Sequence, residues 1–360
     1  MPGMLLRNDL QVAGLTGLAA LGGAALAALL GIPAGALVGA MLTVAMLAAL
    51  GQNVAVPAIA RDLAFLVIGI SLGAGVDASV VPHLPGWSVS LLGLSMALVT
   101  TMAASSMLLR KVFGIDWQTA VLASSPGTMS NAVAIAVEGK GDASAVMMLQ
   151  LMRLIILVTL VPPIASFLGA SDPSSSVTRS AMSLLALVGL LFLGLPLGRY
   201  AGRKGVSAAC LLTGILLSGL SHGAGLVHGA APSWMIFLGF TVTGAVLGTQ
   251  ISKVDLRLAM KLVGAGAVVV GMALGMAVAF ALIIRALTGF PLGQILIAYA
   301  PGGVEAMAAI GLALGYDPAF VAAHHFARIL ILLVLVPVFL SRSRRRDNWG
   351  RDNDESGGQA

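Results

Sequence analysis

The chain has 360 residues, of which 58% are apolar and only 9% charged, and its mean hydropathy is +1.01. A soluble domain carries about 25% charged residues, so this composition excludes a water-soluble enzyme, a disordered chain and a secreted disulfide scaffold. The net charge of +6 is therefore read through the loops, as orientation in a bilayer, and not as a nucleic-acid footprint.

Taken in chain order, Arg7 is followed by Asp9 and then by an apolar run from Gln11 to Leu30. That run is too long for the h-region of a cleaved signal, about 7–15 residues, and reads as the first membrane helix. Residues 10–60 and 205–252 contain no Asp, Glu, Lys or Arg. At about 20 residues per span, each stretch holds two helices. The apolar segments fall at 11–30, 33–50, 58–76, 87–109, 117–137 and 144–169, and again at 182–198, 205–222, 232–251, 262–284, 290–312 and 318–341. Arg61 and Asp62 sit near the start of the third, within reach of the headgroup zone. The single cysteine, Cys210, can form no internal disulfide and reads as a small packing residue. Forty-five glycines suit the close backbone approach of helices in lipid.

The two sets of six are copies. At an offset of 175 positions, 15 of the 53 residues from 110 to 162 are identical to their counterparts. The matches include rare types: Arg110 with Arg285, Gly114 with Gly289, Pro126 with Pro301, Gly127 with Gly302, Asp142 with Asp317, Arg153 with Arg328 and Pro162 with Pro337. Upstream, Gly69 pairs with Gly244 and Gly73 with Gly248. A one-offset series of Pro, Gly, Arg and Asp marks an internal repeat, so the chain divides into 1–175, 176–341 and a polar tail, 342–360.

Loop charge then bears on topology. If all twelve segments crossed, 7 of the 18 basic residues outside the spans would face away from the cytoplasm, including Lys140, Arg199, Arg203 and Lys253. If the fifth segment of each copy dips in and returns, only Arg179 and Arg285 do so. The positive-inside rule selects the second arrangement. Each copy then makes five net crossings, an odd number, and the second enters from the opposite side: an inverted-topology repeat, as in many secondary transporters. The expected fold is all-α and polytopic, with two inverted repeats of about five crossings and one broken or re-entrant Pro-Gly segment in each.

The fifth segments carry the breaks. One contains Ser124, Ser125, Pro126, Gly127, Thr128, Ser130 and Asn131; its counterpart contains Tyr299, Pro301, Gly302, Gly303 and Glu305. Proline removes an amide donor and Pro-Gly is a turn signal. An unsatisfied backbone group in hydrocarbon costs several kcal/mol, so irregular backbone there must be buried in protein or line a polar cavity. A helix half beginning after the break offers amides to an anion; a half ending before it offers carbonyls to a cation. A proline kink healed by neighbouring helices is the plain alternative.

Arg153 and Arg328 lie nine and ten residues into the sixth segments, where a charge costs at least about 2.5–3.5 kcal/mol on insertion scales. Each must face the interior and have a partner, either in a fixed ion pair or in anion recognition. Glu305 is the one acid well inside a span, and His324 and His325 share a helix face with Arg328. The first copy has Ser130, Leu149 and Gln150 at these three places, so one copy is neutral and the other titratable. Glu305, with His324 or His325, is the candidate for proton or ion coupling. Asp142 and Asp317 read as helix caps, the latter followed by Pro318 at the first helical position. His83, His222 and His228 lack a tight metal spacing, and no metal site or cofactor is expected. The tail is expected to be disordered and cytoplasmic, its arginines anchoring the last helix.

At PGTMSNA (126–132), PGGVEAM (301–307) and HHFAR (324–328), the chain resembles the bacterial AbrB-duplication membrane family, over nearly its whole length. This is not the soluble DNA-binding protein that shares the name. Members carry labels such as ammonia monooxygenase or regulator of a DNA-damage-response gene. The resemblance implies a multi-pass inner-membrane protein with a fold similar in style to sodium/proton antiporters and bile-acid symporters; it implies no substrate. A carboxylate role carries over only to Glu305, because the first copy has Ser130 there.

The function expected is secondary transport of a small anionic or zwitterionic solute by alternating access, with Arg153 and Arg328 among the binding residues. A membrane ligand sensor that affects gene expression indirectly is the alternative, and a membrane monooxygenase a weaker one, since no converging histidine set is evident. The expected surroundings are the bacterial inner membrane with both termini cytoplasmic, a small solute or ion as partner and no direct contact with nucleic acid; a homo-oligomer is compatible with the sequence.

Overall fold

The computed structural model describes residues 2–75, 84–126, 129–139, 141–168, 180–206 and 208–357; side chains are described within these except at 2–9, 84, 129–131 and 342–357. The Gly127–Thr128 backbone, the side chains of Ser130 and Asn131, and His83, Lys140 and Arg179 lie outside the described residues.

Among the described residues the chain forms fourteen α-helices. The first copy supplies α1 (Pro2–Leu29), α2 (Gly35–Ala49), α3 (Ala58–Gly73), α4 (Leu84–Phe113), α5 (Trp117–Ser124), α6 (Met129–Val137) and α7 (Ala143–Phe167). The second supplies α8 (Leu184–Arg203), α9 (Ala209–Gly223), α10 (Ser233–Thr249), α11 (Leu256–Thr288), α12 (Leu292–Tyr299), α13 (Val304–Ala313) and α14 (Pro318–Gly357). Seven of them are long and apolar enough to cross a membrane. The chain is a multi-pass helical membrane protein.

The copies share local detail. Ala34 before α2 and Ala208 before α9 both adopt the left-handed region, at φ 53° and 54°, and Pro57 and Pro232 precede α3 and α10 with φ −57° each. Acidic caps start several helices. Asp116 accepts from the Thr119 amide, Asp142 from Ser144 and Ala145, Asp255 from Arg257 and Leu258, and Asp317 from Ala319 and Phe320. A carboxylate at a helix N-terminus satisfies free amides and complements the dipole.

The copies interlock. Helix α3 packs on α9 and α10 packs on α2, while α4 lies along α11. Glycines set the first two contacts. A Cβ on Gly69 would strike the Leu211 carbonyl, and one on Gly73 would lie 2.6 Å from the Ile215 carbonyl. Rising numbers on α3 meet rising numbers on α9, so these helices run the same way. Gly244 meets Leu37 and Gly248 meets Met41, so α10 and α2 also run the same way. Asp62 on α3 accepts from Arg61 and from Arg199 on α8, each at 2.9 Å, an ion pair between copies. Cys210 is buried and free, packed beside Gly198.

One expectation is corrected. Residues 342–357 continue α14 as helix to Gly357 instead of forming a disordered tail. Arginine favours helix, and no proline follows Pro337.

Gly69→Ala and Gly244→Ala each place a methyl group against a backbone carbonyl. Each should cost about 1–3 kcal/mol through overpacking and lower the thermal midpoint in detergent. Gly22→Ala, with no atom within 4 Å of the added Cβ, should leave it unchanged or raise it.

Candidate functional site: two broken hairpins with arginine-capped tips

Each fifth segment is a pair of short helices. In the second copy, α12 ends at Tyr299, the backbone through Ala300, Pro301 and Gly302 is non-helical, and Gly303 precedes α13. In the first copy α5 ends at Ser124 with Ser125 extended (φ −61°, ψ 119°), and α6 begins at Met129.

The segments fold back on themselves. The Thr119 hydroxyl near the start of α5 accepts the Asp142 amide at 2.7 Å, just before α7. At the equivalent place Gln294 near the start of α12 accepts the Asp317 amide at 3.2 Å, just before α14. Within the second pair, a Cβ on Gly311 would sit 3.4 Å from Ile297. Each segment therefore leaves and regains the same end of the bundle, with its break at the tip.

The two hairpins enter from opposite ends. The Trp117 indole donates to the Phe339 carbonyl of α14 at 3.1 Å, near the end of that helix's apolar stretch, Pro318–Ser341, so the first hairpin opens at the end of that stretch. The Tyr316 hydroxyl donates to the Ala165 carbonyl late in α7, at 3.0 Å, so the second opens where α7 finishes. The tips approach in the interior: Leu154 of α7 lies 3.2 Å from the Cβ position of Gly303.

Side chains from the following helix repair the backbone at each tip. Pro126 has no N–H, so the Leu122 carbonyl four residues earlier loses its helical donor. The Gln150 amide donates to it at 2.8 Å. One turn on, Arg153 Nη1 donates to the Ser125 carbonyl at 3.0 Å and to that of Ala123 at 3.5 Å. In the second copy Arg328 Nη1 donates to the Ala300 carbonyl at 2.6 Å and Nη2 to that of Gly302 at 3.2 Å. Ser125 and Ala300 are equivalent positions. The arginines, 4% and 0% exposed, find their partners in carbonyls at the breaks; those of Ala123, Ser125 and Ala300 lie at helix C-termini, where the dipole is negative. Neither makes an ion pair among the described residues.

Gln150 and Ser90 are contributions that motif reading does not single out. The spacing of Gln150 to Arg153, the same as His325 to Arg328, is the signal for the first; Ser90 carries none. The Tyr299 hydroxyl donates to the Ser90 carbonyl, and the Ser90 hydroxyl lies 3.3 Å from it. His324 Nε2 lies 2.9 Å from the Ser90 hydroxyl and Nδ1 lies 2.8 Å from the Phe320 carbonyl. A carbonyl only accepts, so a neutral imidazole protonated on Nδ1 satisfies both contacts. The ring stacks on Phe320 at 3.9 Å. This network ties the second hairpin to α4 of the first copy. The first hairpin has Ser124, Leu149 and Ala265 at the matching positions.

Several buried polar atoms at the tips have no partner among the described residues: Ser124 Oγ, Gln150 Oε1, Arg153 Nε, both ring nitrogens of His325, and Arg328 Nε. Glu305 stands in the first turn of α13, half-buried, and makes no ion pair with Arg328 within 4.0 Å. Orphaned buried groups are rare in folded proteins, and they cluster here in both copies. A cavity of about 120 Å³ lies between the tips, lined by Ser125 and Ala132 from the first hairpin and by Val304 and Arg328 from the second copy. Elsewhere, His222 is taken up by the Ser218 and Gly229 carbonyls at 2.8 and 2.9 Å.

Interlocked repeats with a broken helix hairpin in each define a duplicated multi-pass membrane protein with a polar centre. The family model described as "Transition state regulatory protein AbrB" matches residues 3–169 and 37–343, and the chain belongs to that AbrB family. Among curated relatives, "Uncharacterized protein YhjN" of Bacillus subtilis (strain 168) is 24% identical over 297 residues, 76% of each chain. "Putative regulator AbrB" of Escherichia coli (strain K12) is 29% identical over 150 residues, 41% of this chain and 43% of the relative.

Replacing Gln150 with Leu leaves the Leu122 carbonyl without a donor and should cost about 1–3 kcal/mol. Arg153→Met removes the donors to two carbonyls and should cost more. Thermal unfolding of the purified variants measures both.

Proposed function

We propose that this chain is a secondary transporter in the bacterial inner membrane, moving a small anionic or zwitterionic solute by alternating access between the two hairpin tips. The observation that carries the reading is the meeting of two broken hairpins, entering from opposite ends, at one cavity bordered by Ser125 and Arg328. Irregular backbone at membrane depth is tolerated where it lines a cavity, and discontinuous helices at a repeat interface are how such transporters hold solutes. In this reading the copies lie inverted in the bilayer with both termini cytoplasmic. That placement suits the parallel packing of α3 with α9 and of α2 with α10.

The guanidiniums of Arg153 and Arg328 attract the solute while staying fixed to the tip carbonyls. Rocking the hairpins against the α2, α3, α9 and α10 group exposes the cavity to one side and then to the other. Glu305, at the amide end of α13 and within the field of Arg328, is the coupling carboxylate, with His325, also within that field, as the second ionisable group. His324, held by Ser90 and Phe320, anchors the hairpin.

The regulator wording carried by the family and the E. coli relative suits an indirect effect, in which movement or sensing of the solute alters gene expression.

Topology is tested in a Cys210→Ser background. Single cysteines replacing Glu138, Arg203 and Lys261 should react with an impermeant maleimide from the cytoplasmic side only, and one replacing Thr288 from the other side only. Glu138 and Arg203 both reacting from the opposite side, as a fully crossing fifth segment requires, would remove the re-entrant first hairpin. Coupling is tested in proteoliposomes under an imposed pH gradient, screened with labelled carboxylates and amino acids. Glu305→Gln should lower gradient-driven accumulation at least ten-fold, and undiminished accumulation would remove the coupling role.

A further inference from the structure

The cavity between the tips has two unlike ends. Arg328 and Ser125 lie at its inner end, beside the capped carbonyls. The remaining lining is aliphatic: Ala132 and Ile135 from α6, and Leu332 and Val336 from α14, among others. Leu333, 69% exposed, stands at the mouth with Pro337. A solute that is polar throughout would leave most of this wall facing it without hydrogen-bond partners, and one that is apolar throughout would leave the arginine unanswered.

Charge narrows the choice. Among the described residues the ionisable groups at the tips are two guanidiniums, Arg153 and Arg328, which lie within electrostatic range of one another, one carboxylate, Glu305, and the imidazole of His325, whose ring nitrogens have no partner; the balance is taken with Glu305 ionised and His325 neutral. The stretch between α5 and α6, residues 125–128, contains no charged residue. Two positive charges against one negative leave one positive charge unbalanced. Helix-end carbonyls supply only a partial charge, of order half an electron. A single negative charge on the solute completes the balance. A dianion over-compensates it and a cation opposes it.

Size sets the body. A dry protein cavity of about 150 Å³ accepts benzene. Scaled on that, the cavity here, about 120 Å³, takes about five carbons, with a longer chain end reaching the mouth at Leu333. Resting on the transport reading above, we infer that the solute is a monocarboxylate with a short aliphatic or aromatic body. Its carboxylate faces Arg328 and Ser125, and its body lies between α6 and α14 against Ala132 and Leu332.

The test measures binding and flux separately, with sodium hexanoate as the probe. Thermal-shift and calorimetric titrations of the purified full-length protein are run against hexanoate and four comparators. These are acetate (charge without body), hexanol (body without charge), hexylammonium (opposite charge) and succinate (two charges). Hexanoate should bind at least ten-fold more tightly than acetate or succinate, and hexanol and hexylammonium should give no saturable shift. Ala132→Phe fills the cavity without touching the arginine caps; it should abolish the hexanoate response while keeping the wild-type elution profile. Should that variant misfold, Leu332→Trp is the second test from the opposite wall. Arg328→Lys, which keeps the charge but loses the planar fork, should weaken hexanoate at least ten-fold.

Equal binding of acetate and hexanoate, tighter binding of hexylammonium, or an unchanged response in a folded cavity-filled variant would each overturn the inference. Flux distinguishes it from the reading on which it rests. Hexanoate that binds at this cavity but crosses proteoliposomes no faster than protein-free liposomes would remove transport and keep the site. Saturable flux of another solute with no hexanoate binding would keep transport and remove this solute class.

Discussion

A carbonyl or amide left open at membrane depth has no water to turn to, and the architecture of this chain answers that constraint twice. The breaks at Pro126 and Pro301 open carbonyls at the ends of α5 and α12, and each set is closed from the neighbouring helix by an arginine whose own charge could not otherwise reside there. Arginine and break depend on each other. Without the break the guanidinium would have no acceptor, and without the guanidinium the break would expose backbone to hydrocarbon. This mutual requirement accounts for their recurrence at one offset in both copies.

The copies then diverge where satisfaction is incomplete. In the first, Gln150 supplies the donor that Pro126 lacks. In the second, His325 holds that position with both ring nitrogens unpartnered, and Glu305 replaces Ser130 in the first turn after the break. The second hairpin is tied to α4 of the first copy through Tyr299, Ser90 and His324, and the first to α14 of the second copy through Trp117. Among the described residues, the second tip thus carries an added carboxylate and an unpartnered imidazole where the first has a serine and a glutamine.

Much of this was legible in the sequence because the informative residues are rare in an apolar chain. Proline, arginine and aspartate at a fixed offset mark the duplication, the breaks and the caps, and Asp142 and Asp317 cap their helices as their spacing predicts. Loop arginines bear on topology because positive charge resists translocation. The partners of Arg153 and Arg328 were not legible: a search for an opposite charge finds Glu305, whereas the structure offers carbonyls, which every residue has and no sequence distinguishes. Ser90 was hidden for the same reason, being one serine among many in α4 and significant only through its distance from His324 and Tyr299. The helical course of residues 342–357 was missed because composition reports solvation, while helix continuation depends on the absence of a breaker.

The swapped pairing of α3 with α9 and of α2 with α10 has a bearing on how such a molecule arises. Residues 1–175 made alone would present to lipid the glycine faces that the other copy covers, together with Asp62 stripped of its Arg199 partner. Two halves produced as separate polypeptides would therefore be mutually obligate, each incomplete until it met its complement. An ancestor encoding a single copy would have needed to assemble with itself, two molecules of one gene product closing around the same central hollow, before fusion made that partnership permanent.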